Sequence, residues 1–162
     1  MRYASRLTMI NNDVLRSVRF MLKIDDAKLA ALIKLGGGRD VSAAELVTFL
    51  KREDEPGHVL CDNELMAHFL DGLIIQRRGQ GESAPPRPVD KSITNNTVLK
   101  KLRVAFELRE DDLIALMAAA GFEVSKPELS ALFRNPDHKN FRPCGDQFLR
   151  NFLKALTSRV RG

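Results

Sequence analysis

The hydrophobic positions of the 162-residue chain recur at helical spacing, three or four residues apart. The first such stripe predicts one buried helix face and consists of Val14, Leu15, Val18, Met21 and Leu22. Further stripes predict helices over 25–35 and 62–77, and over 111–120 and 145–159 in the second half. No segment alternates apolar and polar residues for long enough to predict a strand, so the predicted fold class is all-α.

Several residues predict where these helices begin and end. Asn12 and Asn96 are predicted N-caps, because Asn side chains accept hydrogen bonds from the free amides of a first turn. Two Ser-x-x-Glu capping boxes predict one more helix in each half, at Ser42 with Glu45 and at Ser125 with Glu128. Gly36 and Gly121 suit the ends of the second helices.

The chain also contains an internal repeat. Residues 11–19, Asn-Asn-Asp-Val-Leu-Arg-Ser-Val-Arg, return as residues 95–103 at an offset of 84. Residues 41–46 return as 124–129 at an offset of 83, which also pairs Cys61 with Cys144 and Leu73 with Leu156. Three separated blocks in nearly one register predict two tandem copies of a four-helix unit, over 11–79 and 95–162.

The remaining segments are interpreted as an N-terminal extension, 1–10, and a linker, 80–94. The linker is Pro-rich, and prolines interrupt a helix and favour an extended connection. The extension lacks the apolar stretch of a signal peptide, and no segment has the roughly 18 apolar residues of a membrane span. We therefore expect a cytoplasmic protein without membrane contact.

The charge distribution adds a functional indication. The net charge is +5, with 12 basic and 11 acidic residues in 1–79 but 12 and 8 in 93–162. A basic excess in the second copy attracts polyanions. There is no Trp and only one Tyr, so the aromatic platforms of many single-strand binders are largely missing.

Three blocks resemble a known family. They are residues 11–19, residues 51–55 (Lys-Arg-Glu-Asp-Glu) and residues 136–150, from Pro136 to Arg150. Together they resemble the bacterial YehS family, a tandem domain of unknown function, from about Met9 to Gly162. The resemblance implies a small bacterial protein with two related helical domains, and it supplies no activity or catalytic residue. Residues 1–8 lie outside it, which leaves Met9 as an alternative start.

Residues 112–133 are similar to a helix-turn-helix, although any compact helical domain contains such a helix pair. As a reading helix, the second of the pair would present Lys126 and Arg134. Arg150 and Lys154 lie near one face of the fourth helix, and Arg16 belongs to a similar basic stripe in the first copy. The candidate nucleic-acid-binding residues are Lys126, Arg134, Arg150 and Lys154. Basic residues near a helix C-terminus also stabilise the helix itself.

Other chemistry has little support in the sequence. Cys61 and Cys144 are expected to be buried and unlinked, because each precedes a helix whose apolar face must dock nearby. Their spacing to His58 and His138 fits no zinc pattern. Because no phosphate loop or nucleophile motif is present, we expect no enzyme, cofactor, metal or catalytic residue.

Two function classes are compatible with these observations. The first is a non-enzymatic accessory protein that binds DNA or RNA through basic helices of the second copy. The second is a protein-interaction adaptor with no nucleic-acid role, which the nearly neutral first copy favours. A steep loss of affinity with salt would distinguish the first class from the second.

Overall fold

The computed structural model describes residues 9–79 and 92–162, and this part of the chain contains eight α-helices and no β-strand. The all-α prediction is confirmed. Most of the predicted linker and extension, residues 80–91 and 1–8, lies outside the described residues. The helices are α1 (Asn11–Leu22), α2 (Asp26–Leu35), α3 (Ala43–Leu50), α4 (Asn63–Arg78), α5 (Asn95–Ala105), α6 (Glu110–Ala119), α7 (Lys126–Phe133) and α8 (Asp146–Arg161).

The helices form two repeats of four in the same order, α1–α4 and α5–α8, as predicted. Equivalent helices begin 84 residues apart for the first two and 83 apart for the last two. The predicted bounds agree with the observed ones to within two residues; helix α6, for example, begins at Glu110 rather than at residue 111. Gly36 is the C-cap of α2, as predicted, and the left-handed residue after it is Gly37, with φ 97°. In the second repeat the C-cap is Ala120, and the left-handed Gly121, with φ 88°, follows it.

The apolar stripes of all eight helices meet in one continuous core. At its centre Phe69 of α4 and Phe152 of α8 are fully buried. Truncating such a buried Phe to Ala costs about 3–5 kcal/mol, so these equivalent residues make a large contribution in each repeat. Among the helices that the structure describes, none is both long and apolar enough to cross a membrane.

The prediction that Asn12 and Asn96 are N-caps is wrong. Each Asn-Asn pair instead connects the first helix to backbone groups elsewhere in its repeat, and we call the pair the Asn clamp. The N-caps are Ile10 and Thr94, and each Asn-Asn pair lies inside the first helical turn. Asn12 donates to the carbonyls of Phe49 and Val59, at 3.0 and 2.9 Å. Its side-chain oxygen accepts from the Cys61 amide at 2.9 Å.

Asn96 repeats these contacts in the second repeat. It donates to Leu132 and Arg142, both at 2.9 Å, and accepts from Cys144 at 2.8 Å. In each repeat one of the accepting carbonyls lies in the last turn of the third helix, and the other two backbone groups lie in the loop before the fourth helix. A side chain with two donors and one acceptor, projecting from the first helix, satisfies all three.

One capping box is complete and the other is half formed. In the second repeat Ser125 accepts from the Glu128 amide, and the Glu128 carboxylate accepts from the Ser125 amide. In the first repeat Ser42 accepts from the Glu45 amide, but the Glu45 carboxylate binds Arg39 instead. The hydrogen bond from Arg39 lowers the pKa of Glu45. A nearby guanidinium therefore replaces the backbone amide as the partner of this carboxylate.

Two glycines let α2 and α4 cross at backbone contact. A Cβ on Gly72 would lie 1.7 Å from the Leu32 carbonyl oxygen, and one on Gly36 would lie 1.8 Å from the His68 carbonyl oxygen. The equivalent positions in the second repeat are Ala155 and Ala120. Their methyl groups cannot occupy that space, so α6 and α8 cannot approach each other in the same way.

The two repeats pack reciprocally, with α1 against α8 and α4 against α5. Each fourth helix ends with an arginine on a phenylalanine of the other repeat. The Arg161 guanidinium lies 4.1 Å from the Phe20 ring centroid and donates to the Phe20 carbonyl at 2.7 Å. The Arg77 guanidinium lies 4.0 Å from the Phe106 ring centroid and donates to the Ala105 carbonyl at 3.3 Å. These cations therefore hold the repeats together.

Candidate nucleic-acid interface

The pocket between α1 and α8, which we call the seam pocket, brings cations of both repeats together. Its volume is about 450 Å³, and its lining includes Arg16 of the first repeat with Arg150 and Lys154 of the second. Hydroxyl groups complete the polar lining, from Ser17, Thr157 and Ser158. Guanidinium, ammonium and hydroxyl donors are the groups that contact phosphate oxygens in nucleic-acid complexes.

The three cations differ in the hydrogen bonds and ion pairs that they form within the protein. Arg16 forms an ion pair with Asp13, the one acid among the described residues of the lining, and donates to the Lys51 carbonyl at 2.9 Å. Arg150 contacts the Gln147 side chain at 3.5 Å. Within residues 9–79 and 92–162, Lys154 has no acidic partner and its side chain is exposed.

The equivalent place on the other side of the repeat interface is occupied by an ion pair. There Lys101 of α5 lies 2.6 Å from Asp71 of α4, and both side chains are only 15% exposed. By the repeat offsets, Ser17 stands in α1 where α5 has Lys101, and Lys154 stands in α8 where α4 has Asp71. This pair is therefore neutral, whereas the described lining of the seam pocket has three cations and one acid.

The other two candidate residues lie elsewhere. Lys126 is the first residue of α7 and lies 3.7 Å from Asp111, with both side chains largely exposed. Arg134 follows α7 and lines a different groove, in the second repeat. Of the four predicted residues, the structure brings only Arg150 and Lys154 into one pocket. The second repeat does not form that pocket alone, since Arg16 comes from the first.

Helix α7 offers little as a reading helix. Residues 120–125 separate α6 from α7, a longer connection than the three or four residues of a helix-turn-helix turn. Carboxylates surround its beginning: Asp111 pairs with Lys126, and Glu110 accepts from Ser130 at 3.5 Å. A phosphate backbone would be repelled by these acids.

The cysteines are buried, as predicted. Cys61 and Cys144 are 1% and 6% exposed, and both are free thiols. Burial raises the pKa of each thiol to about 12, and the carboxylates of Asp62 and Asp146 add to the effect. Both are therefore protonated at neutral pH and lack the thiolate that reactive cysteines use.

No metal-binding group of three or more His, Cys, Asp and Glu side chains occurs in the described part of the chain. His138 lies in an exposed loop, where its Nδ1 accepts a hydrogen bond from the Asn140 amide.

The fold and site define a class: an all-helical tandem-repeat protein with a basic pocket between the repeats. The model of a family described as a protein of unknown function (DUF1456) matches residues 11–79 and again residues 95–162. The chain therefore belongs to this family. It is 47% identical over 151 residues to the uncharacterized protein YehS of Escherichia coli (strain K12), covering 93% of this chain and 96% of that protein. The YehS-like resemblance is confirmed. No solved structure matches the chain.

Proposed function

We propose that this protein is a non-enzymatic, cytoplasmic accessory protein that binds nucleic acid, DNA or RNA, at the seam pocket. The observation that carries the proposal is the set of three cations with one acid among the described residues of the lining, in which Lys154 stands where the other side has the acidic member of an ion pair. Cations that gather in one pocket without matching acids attract an anionic ligand.

The position of the site between the repeats also suits a polyanion as the ligand. Arg150 is half-buried and Lys154 is exposed, so both can be reached from solvent. A polyanion that lies across the seam would contact both repeats at once, and each cation that binds a phosphate releases a counterion from the nucleic acid.

The test is the salt dependence of binding, measured by fluorescence anisotropy with labelled single- and double-stranded DNA and RNA oligonucleotides. Because each lost phosphate contact lowers the log–log slope by about 0.7–0.9, Arg150→Ala with Lys154→Ala should flatten it by roughly 1.5. The loss of Lys154 should change the melting temperature little, because exposed charges contribute little to stability.

The matched control removes two exposed cations outside the pocket, Lys28→Ala with Arg52→Ala. These residues lie in the first repeat, and neither lines the seam pocket. Equal flattening by both double variants would refute the seam pocket as the site. A wild-type protein that retains no oligonucleotide at low salt would refute nucleic-acid binding altogether.

A further inference from the structure

The second repeat has a groove lined by both apolar and cationic side chains. It lies between the start of α5, the end of α7 and the loop of residues 134–144, with a volume of about 870 Å³. We call it the second-repeat groove. Its apolar walls include Val104, Phe133, Phe141 and Pro143, and Lys100 and Arg134 lie at its rim.

The first repeat uses the equivalent cations for its own fold. Arg16, at the position of Lys100, donates to the Lys51 carbonyl at 2.9 Å. Lys51, at the position of Arg134, donates to the Pro56 carbonyl at 2.7 Å. Among the described residues, Lys100 and Arg134 have no such hydrogen bond or ion pair, and both are exposed. The second repeat therefore has two cations available at the rim.

The second-repeat groove also carries less negative charge than the equivalent region of the first repeat. Thr97 stands where the first repeat has Asp13. Residues 51–61 carry two cations and three acids, whereas residues 134–144 carry three cations and one acid. Among the residues that the structure describes, no acid lines the second-repeat groove. With the same arrangement of helices, the second repeat therefore has a more positively charged groove than the equivalent region of the first repeat.

We infer that the second-repeat groove docks a segment of a partner protein in which an apolar side chain is flanked by carboxylates. The apolar walls gain free energy only by covering an apolar side chain. The rim cations attract carboxylates on either side of it and orient the segment. A phosphodiester strand would instead place charge against the apolar walls, at a desolvation cost. This inference does not rest on the proposed nucleic-acid function.

The experiment selects random peptides displayed on phage against the whole protein and measures the enriched peptides by fluorescence anisotropy. We expect enrichment of sequences in which Leu, Ile or Phe lies between Asp and Glu residues. Lys100→Glu with Arg134→Glu should weaken the binding of these peptides at least tenfold. The matched reversal Lys28→Glu with Arg52→Glu should change it less than twofold.

Two further measurements keep the outcomes distinct. Phe141→Ala should also weaken peptide binding, since it removes apolar wall without changing charge. The seam double variant, Arg150→Ala with Lys154→Ala, should leave peptide binding unchanged, so failure of one proposal does not imply failure of the other. The inference is overturned if no peptide is enriched, if the enriched peptides lack acidic residues, if the rim reversal has no effect, or if an oligonucleotide displaces the peptide from the groove.

Discussion

Replacing Asn12 with Ala should destabilise the protein more than any surface change, because this side chain is fully buried and satisfies three backbone groups. The substitution removes the acceptor of the Cys61 amide and the donors to the Phe49 and Val59 carbonyls. Two of these hydrogen bonds, to Phe49 and from Cys61, are buried, whereas the one to Val59 is partly buried.

The size of the loss depends on whether water can replace the hydrogen bonds that Asn12 made. A buried backbone group left without a partner costs about 1–3 kcal/mol, and a partly exposed one costs less. The expected loss is about 3–5 kcal/mol, a large part of the roughly 5–15 kcal/mol that stabilises a typical domain. Asn96→Ala should cost about half as much, since its hydrogen bonds are partly buried or exposed.

Urea unfolding followed by circular dichroism measures the effect as a shift in midpoint with an unchanged slope. The control is Asn11→Ala, which removes hydrogen bonds to the Cys61 carbonyl and to Asn63 at the edge of the clamp. It should cost about 1 kcal/mol. A loss below about 1 kcal/mol for Asn12→Ala, or an equal loss for Asn11→Ala, would refute the clamp as the element that holds this loop.

Two other changes test the interior. Gly72→Ala should lower the free energy of unfolding by about 2–4 kcal/mol despite the better helix propensity of Ala, because the new Cβ would meet the Leu32 carbonyl. An unchanged melting temperature would contradict the close crossing of α2 and α4. The two buried thiols should make the protein less stable in alkali. Burial raises the pKa of each thiol from 9.0 to about 12, so the thiols ionise in the unfolded state at a lower pH than in the folded state. The free energy of unfolding therefore falls as the pH rises above about 9. At pH 10 the loss is about 1.4 kcal/mol per thiol, and a Cys61→Ala, Cys144→Ala variant with the same alkaline slope as the wild type would contradict it.

The helices and their repetition could be predicted from the sequence because both depend on local spacing. Stripes such as Leu65, Phe69 and Leu73 fix a helix face, and Ser125 with Glu128 fixes a helix start. The Asn-Asn pairs were misinterpreted because an N-cap and a clamp use the same residue type. Only the position of a loop some 50 residues away in sequence, close in space, distinguishes them.

The candidate site could be predicted only in part for a related reason. The sequence shows Arg150 and Lys154 as a basic face of one helix. Their position in one pocket with Arg16 depends on how the two repeats pack. Lys126 was predicted on another ground, the similarity of residues 112–133 to a helix-turn-helix. Its pairing with Asp111 depends on how α6 meets α7, which no local pattern encodes.

The differences between the two repeats separate structural residues from candidate functional ones. Some positions that hold the fold have the same residue in both copies, as with the Asn clamps and the buried cysteines. At two positions near the proposed sites the charge differs: Lys154 stands in place of Asp71, and Thr97 stands in place of Asp13. Asp71 of the first repeat pairs with Lys101 of the second, and Asp13 pairs with Arg16, so each carboxylate neutralises a cation. Both proposed sites therefore include a position at which the first repeat has an acid and the second repeat has none.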